Sequence, residues 1–343
     1  MDIIKNISII FISIFFESLP FLLLGSLISS VIERYVSNDT MAKLIPKNVV
    51  LGSFMGIFLG FFLPACDCAV IPVSKRLIKK KVPLNVAISF MLASPIINPV
   101  VLLSTYSAFY RTNPQIFWLR LILGIGIAFI IGVIMGLIFK GKVTINNSDE
   151  NEECCCHHHE HNHECHHHHE HEHDHDEIDN DFKDLMVDCD VEEIHEEREE
   201  KRSLKNDILF IFKHTAYDMF DVVKYLMFGA VIASLVQVLL PRQILLMFNE
   251  NRILAILVLM LFAYLISLCS TSDSFVGKSL LNSFGITPIM AYLLLGPMID
   301  IKNTIVLFGN YKKSFVITLI LLIFIIIFIS CVLMGGLLWE NVF

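Results

Sequence analysis

Two thiols and a carboxylate lie close together in an otherwise apolar stretch, in the sequence PACDC at residues 64–68. Thiolates are soft donors that bind Cu(I), Zn and thiophilic metalloids. Cys66 and Cys68 would point apart on an intact helix, but Pro64 interrupts the helix and lets both sulfurs face one ligand. The alternative is that both cysteines are simply small buried apolar residues.

A second polar segment follows in the other half of the chain, where one thiol precedes four hydroxyl or carboxyl residues at 269–273. Polar side chains this dense in an apolar span normally face a cavity or a partner helix. Two proline-containing segments, ASPIINP at 93–99 and LGPMIDIK at 295–302, add further polar residues at mid-span. The predicted substrate-binding residues are Cys66, Cys68, Cys269, Ser94, Asn98, Ser270, Thr271, Ser272, Asp273 and Asp300. An alternative is that the hydroxyls only satisfy the backbone of broken helices.

Charged residues inside apolar spans are candidates for proton or ion coupling, because they are costly in a bilayer. The four candidates are Asp67, Asp300, Lys302 and Glu17. A static ion pair between Asp300 and Lys302 is the alternative for that pair.

The elements that must position these residues are apolar helices. Of the 343 residues, 55% are hydrophobic, and the apolar stretches are long enough to cross about 30 Å of hydrocarbon. The sequence predicts an all-α integral membrane protein with eight spans in two homologous four-helix halves and broken helices at its centre. The predicted spans are 7–32, 49–73, 84–109, 114–139, 208–240, 253–276, 286–309 and 315–338.

The halves resemble each other at nearly constant spacing. Cys66 aligns with Cys269 at an offset of 203, and ASPIIN aligns with LGPMID at an offset of 202. Such duplication is a transporter design in which the site lies where the repeats meet. Four crossings in each half would make the repeats parallel, whereas a re-entrant segment in each half would make them inverted. Convergent hydropathy is the alternative to duplication.

The predicted domains are a first membrane repeat at 1–140, an acidic disordered insert at 141–206 and a second membrane repeat at 207–343. Residues 149–200 contain 22 acidic and 2 basic residues. The insert lacks the fixed spacing of a zinc finger, but its imidazoles and thiolates suit Zn, Ni, Co or Cu. The candidate ligands are Cys154, Cys155, Cys156, His157, His158, His159, His161, His163, Cys165, His166, His167, His168, His169, His171, His173 and His175.

The basic loop at 74–82 predicts the orientation in the membrane through the positive-inside rule. With eight spans, this loop, both termini and the insert would share the cytoplasmic side. No Walker A or GxGxxG motif is present and no catalytic triad is apparent, so we expect neither ATP hydrolysis by this chain nor an enzyme. No feature of the sequence supports nucleic-acid binding. We expect a lipid bilayer and a small substrate as partners and no required cofactor, and the sequence leaves the oligomeric state open.

The segments PACDCAVIPVSKRLIKKKVPLNVAISFMLASPIINPVVL, STSDSF and LLLGPMIDIKN resemble the ArsP/YraQ-type predicted permeases. The resemblance covers roughly residues 8–139 and 208–339. It implies a multi-pass permease of the bacterial inner (cytoplasmic) membrane with about eight spans, and organoarsenical efflux is among the family's activities. Asp67 and Ala69 depart from the small or hydroxyl residues of the family pattern, and the His-rich insert is not part of that pattern.

The sequence therefore predicts a permease that exports a soft metal, a metalloid or a thiophilic organic species through a thiol site. One alternative is a divalent transition-metal transporter regulated by the His-rich insert. A second alternative is a membrane redox or sulfur-handling component that uses Cys66 and Cys68.

Overall fold

The computed structural model describes residues 2–35, 46, 48–62, 67–140, 144–145, 204–239 and 251–340. These residues form an all-helical fold, as predicted. The helices are α1 (Asp2–Tyr35), α2 (Val49–Phe62), α3 (Asp67–Lys79), α4 (Leu84–Ile97), α5 (Pro99–Phe109), α6 (Gln115–Ile138), α7 (Leu204–Leu239), α8 (Arg252–Ile266), α9 (Ser270–Phe284), α10 (Ile286–Met298), α11 (Ile301–Asn310) and α12 (Lys313–Glu340).

The chain divides into two units. One unit comprises Met1–Asn146 together with Ile208–Phe343, so both membrane halves belong to it. The other comprises Asn147–Asp207, of which the structure describes only the start of α7. The predicted borders of the insert stay predictions.

Six segments in the described residues are long and apolar enough to cross a membrane, in place of the eight predicted. They are Ile4–Val31, Leu84–Phe109, Gln115–Ile138, Phe210–Leu239, Ile286–Asn310 and Lys313–Gly336. Two of them are broken spans, in which α4 continues into α5 and α10 continues into α11. The break at Asn98 follows from sequence, because Asn98 caps α5 and Pro99 begins it.

The predicted second span, 49–73, is a re-entrant pair of helices rather than a crossing. Gly52 in α2 lies against Asn85, and Gly60 lies against Ser94, so α2 and α4 run in the same direction. Helix α3 returns to the side where α4 begins. With 14 residues, α2 is only about 21 Å long, too short to cross the hydrocarbon alone. Hydropathy cannot distinguish this arrangement from one continuous span.

The predicted sixth span, 253–276, is a second re-entrant pair. Helix α8 runs parallel to α10, since Arg252 hydrogen-bonds Thr287 and the rings of Phe262 and Tyr292 lie 6.0 Å apart. Helix α9 runs antiparallel to α10, because Asp273 lies against Gly296 whereas the later Gly277 packs against the earlier Leu293. Each half thus contains a long helix, a re-entrant pair, a broken span and a final long helix.

The two halves run in opposite directions across the membrane. Gly136 near the end of α6 packs against Asn85 at the start of α4. The end of α11 lies on that same side, because the ring of Phe139 after α6 contacts Phe315 at the start of α12. The span α10–α11 therefore ends where α4–α5 begins. Of the two arrangements that the sequence left open, the structure has the inverted one.

This topology changes the predicted side of the termini. The end of α6 and the start of α7 lie on the side of the basic residues at 75–81, because Arg76 is paired with Asp218 in α7 at 2.5 Å. Helices α1 and α12 each place the chain terminus on the other side. The expectation that the termini share one side with the basic loop is therefore wrong, because an odd number of crossings separates each end of the described membrane unit from that loop.

Close packing of α6 on α4 depends on a glycine. A Cβ on Gly136 would lie 2.6 Å from the Cβ of Asn85, whereas a Cβ on Gly126 in the same helix would meet open space. We expect Gly136→Leu to destabilise the protein by about 1–3 kcal/mol through overpacking. Thermal unfolding in detergent micelles measures the effect, and Gly126→Leu is the matched control. Equal stability of the two variants would contradict this packing.

Candidate functional site

A small cleft with a cavity volume of about 30 Å³ lies where the two halves meet, and four predicted site residues line it. Glu17 comes from α1, Cys68 from α3, Cys269 from the start of α9 and Lys302 from α11. The cleft thus combines two thiols, a carboxylate and an ammonium group from both halves. The remaining lining residues are Ile14, Ser18, Phe21, Ser267 and Leu268.

The two thiols are held by local structure. Cys68 lies in the first turn of α3, is buried, and its Sγ donates a hydrogen bond of 3.8 Å to the hydroxyl of Ser18. Cys269 occupies the N-cap position of α9 with an extended backbone, and its Sγ lies 3.1 Å from the hydroxyl of Thr271. Ser267 ends α8 in the left-handed region, at φ 52°. This turn places Cys269 at the tip of the second re-entrant pair, facing the cleft.

Lys302 reaches the cleft from the first turn of α11. Its Nζ lies 3.5 Å from Oδ2 of Asp300, and both side chains are almost fully buried. Asp300 also caps α11, since its Oδ1 accepts a 2.6 Å hydrogen bond from the backbone N–H of Asn303. The ion pair that sequence reasoning offered as an alternative is present, and it holds the cleft cation in place.

Asn98 and Asp300 occupy equivalent places in the two halves. Asn98 accepts a 3.0 Å hydrogen bond from the N–H of Val100 and caps α5, just as Asp300 caps α11. Neither Asn98 nor Ser94 lines the cleft. Ser94 is buried in α4, where it lies beside Gly60. Ser94 and Asn98 lie at the break between α4 and α5.

The polar run at 270–273 divides between two environments. Asp273 is buried and does not line the cleft, and its Oδ1 accepts a 3.0 Å hydrogen bond from Tyr292. Ser270 is buried and Thr271 partly so, with the Thr271 carbonyl accepting a hydrogen bond from Ser104 in α5. Ser272 is partly exposed. Asp273 is therefore part of a buried polar network, whereas the backbone of Thr271 links the second half to the first.

Sequence reasoning missed Arg120, which is fully buried in α6. Its Nη1 donates hydrogen bonds to the hydroxyls of Thr105 at 2.6 Å and Ser274 at 2.8 Å. Its charge also acts on Asp273. A single arginine inside an apolar span is itself a signal of function or of inter-helix contact, and it was readable from the sequence.

Several predicted residues lie outside the described part of the chain. They are Cys66, the side chain of Asp67 and all sixteen candidate metal ligands of the insert. In the described residues, no group of three or more His, Cys, Asp or Glu side chains could hold a metal ion. A site of three thiols therefore stays a prediction. Two of the three, Cys68 and Cys269, line the cleft.

Comparison with known proteins agrees with the sequence pattern over nearly the whole chain. A family model named ArsP_1 and described as a predicted permease matches residues 3–336. The chain is 34% identical over 326 residues to a Streptococcus mutans protein named "Putative two-component membrane permease complex subunit", covering 95% of this chain and 94% of that protein. It is 33% identical over 327 residues to the Bacillus subtilis "UPF0718 protein YcgR", covering 95% and 96% respectively. No solved structure matches.

Proposed function

This chain belongs to the ArsP family of predicted permeases, and from that premise we propose that it exports a thiophilic metal, metalloid or organometalloid species through the cleft. The observation that carries the proposal is the convergence of Cys68 and Cys269, from opposite halves, on one cleft. Two soft sulfur donors suit a soft, thiol-seeking substrate better than a hard cation such as Mg²⁺.

The fold supports transport between two sides. Inverted repeats and discontinuous helices at the centre are the architecture in which secondary transporters bind substrate near the bilayer midplane. Here the cleft is bordered by the tip of one re-entrant pair, the first turn of α3 and the first turn of α11. The matching order of helices supports descent of both halves from one duplicated unit.

The basic residues support an orientation in the cytoplasmic membrane. Lys75, Arg76, Lys79, Lys80 and Lys81 lie on the side where α6 ends and α7 begins. Juxtamembrane lysine and arginine favour the cytoplasmic side. We therefore place the flanks of the insert in the cytoplasm and both chain termini outside. We also propose that the His- and Cys-rich insert binds a transition metal.

A resistance panel tests the substrate class. An efflux-deficient bacterial host with and without the chain is challenged with trivalent methylarsenical, antimonite, Zn, Ni, Co and Cu. Resistance to the thiophilic metalloids with little change for the divalent ions is the expected result. Resistance confined to the divalent ions would replace this substrate class with transition-metal transport, and resistance to none of them would contradict the proposal.

The name of the Streptococcus mutans relative also supports a role as one subunit of a complex. We infer that this chain operates with a second membrane polypeptide. Native mass spectrometry of the tagged chain, released from its own cell membrane, is expected to show a mass above the 39.1 kDa of the chain that dissociates into two different polypeptides. A mass that corresponds to this chain alone, or to copies of it, would contradict a two-subunit complex.

A further inference from the structure

The two long helices that begin each half touch each other through a few side chains, while α1 also packs closely against α3. Asp218 in α7 accepts a 3.3 Å hydrogen bond from Ser29 in α1, and Thr215 donates one of 3.1 Å to Ser30. Farther along, Ile14 packs with alanines of α7 at 230 and 233. We call α1 and α7 the arm pair.

The re-entrant pairs and the broken spans are joined across the halves into one body. Thr105 in α5 hydrogen-bonds Ser274 in α9 at 3.0 Å. On the opposite side, Ser74 in α3 hydrogen-bonds Tyr311 after α11 at 2.7 Å. Each re-entrant pair is therefore tied to the broken span of the other half. We call these elements (α2–α5 and α8–α11) the core.

The substrate cleft lies on the boundary between the core and the arm pair. Cys68, Cys269 and Lys302 belong to the core, whereas Glu17 and Ser18 belong to α1. Movement of the core along the arm pair would therefore change what covers the thiols.

The contacts between the arm pair and the core are not symmetric, although the sequences correspond. Gly25 in α1 packs on Ala69 in α3, where an added Cβ would lie 2.6 Å from the Ala69 Cβ. Gly229, its equivalent in α7, packs instead on Lys302 in α11, at 3.0 Å from the Lys302 Cα. The repeat offsets of 202 to 204 make Ser272 the equivalent of Ala69. The structure therefore holds two different versions of one contact, one in each half.

We propose that the two halves exchange these contacts during transport. In the second state, Gly229 packs against Ser272 in α9, and Gly25 packs against Val100 in α5, the equivalent of Lys302. The inference rests on the proposed role as a permease, and it names the motion that turns the cleft from one side of the membrane to the other. Inverted repeats allow such an exchange because each half can adopt the conformation of its partner. A substitution that disfavours one of the two contacts therefore shifts the ratio of the two states.

Two disulfides report the two states. Ser18 and Cys68 lie 3.8 Å apart between their side-chain Oγ and Sγ atoms, so S18C paired with native Cys68 reports the structure described here. The equivalent positions in the other half are Val222 and Thr271, and V222C with T271C reports the proposed state. Other cysteines of the central segments are changed to serine in each chain. Mild oxidation in membranes followed by mass spectrometry of linked peptides measures each yield.

Two substitutions are expected to shift the yields in opposite directions. Ala69→Leu overpacks the Gly25 contact of the present state, whereas Ser272→Leu overpacks the Gly229 contact of the proposed state. The ratio of V222C–T271C to S18C–Cys68 disulfide should rise roughly tenfold with Ala69→Leu and fall by about as much with Ser272→Leu. Ser272 is partly exposed in the present state, so Ser272→Leu keeps the test valid even where Ala69→Leu impairs folding.

A V222C–T271C yield that stays at background in every chain, while S18C–Cys68 forms fully, would overturn the exchange. The measurement does not depend on transport. A failed resistance panel with the expected disulfides would reject the substrate class and leave the exchange standing. A successful panel without the V222C–T271C disulfide would reject the exchange alone.

Discussion

Replacing either Cys68 or Cys269 with alanine is expected to abolish metalloid resistance and to raise cellular accumulation of trivalent methylarsenical at least about tenfold. Each substitution removes one of the two sulfur donors that converge on the cleft, and a site left with one donor loses most of its affinity for a soft substrate. Accumulation in whole cells and uptake into inverted vesicles measure the loss.

Cys331 provides a matched control in the same chain. It is buried in α12 and does not line the cleft. Cys331→Ala is therefore expected to leave accumulation at the wild-type value. Cys66→Ala belongs in the same series, since the predicted third thiol lies outside the described residues. Equal accumulation in the Cys68 and Cys331 variants would reject a thiol site, and oxidation of Cys68 during turnover would instead support the redox alternative.

Replacing Arg120 with leucine is expected to lower the free energy of unfolding by about 3 kcal/mol or more. Arg120 is fully buried and donates hydrogen bonds to Thr105 and Ser274, which lie on helices of different halves. Its removal leaves the hydroxyls of Thr105 and Ser274 without their donor and leaves the buried carboxyl group of Asp273 without the nearby cation. Thermal unfolding in detergent micelles measures the change.

The double variant Arg120→Leu with Asp273→Asn tests the electrostatic part of this effect. Because the amide carries no charge, the double variant is expected to recover part of the lost stability, a coupling that single substitutions cannot show. Arg111→Leu is the control, since Arg111 is exposed between α5 and α6. If Arg111→Leu destabilised the protein as much as Arg120→Leu, the inter-half contact would not be the cause.

The kind of chemistry that the site could perform was predictable from residue types, whereas the set of residues that line the cleft was not. Cys68 and Cys269 stand out as thiols in apolar segments, and the repeat offset aligns the second half with the first. Their convergence with Glu17 and Lys302 on one cleft required the fold, because these residues come from four different helices. Ser94 and Asn98 are also polar, but they lie at the break between α4 and α5 and do not line the cleft.

The sequence by itself determined an apolar, all-helical permease with two similar halves, because apolar length, helix-breaking prolines and polar residues at matched offsets are local properties of the chain. Only the tertiary structure decided that segments 49–73 and 253–276 each return to the side of the membrane from which they enter. A re-entrant pair of helices and a crossing helix have the same hydropathy. They differ only in which neighbouring helices they contact. Those contacts, Gly60 against Ser94 and Arg252 against Thr287, make the repeats inverted and bring both thiols to one cleft.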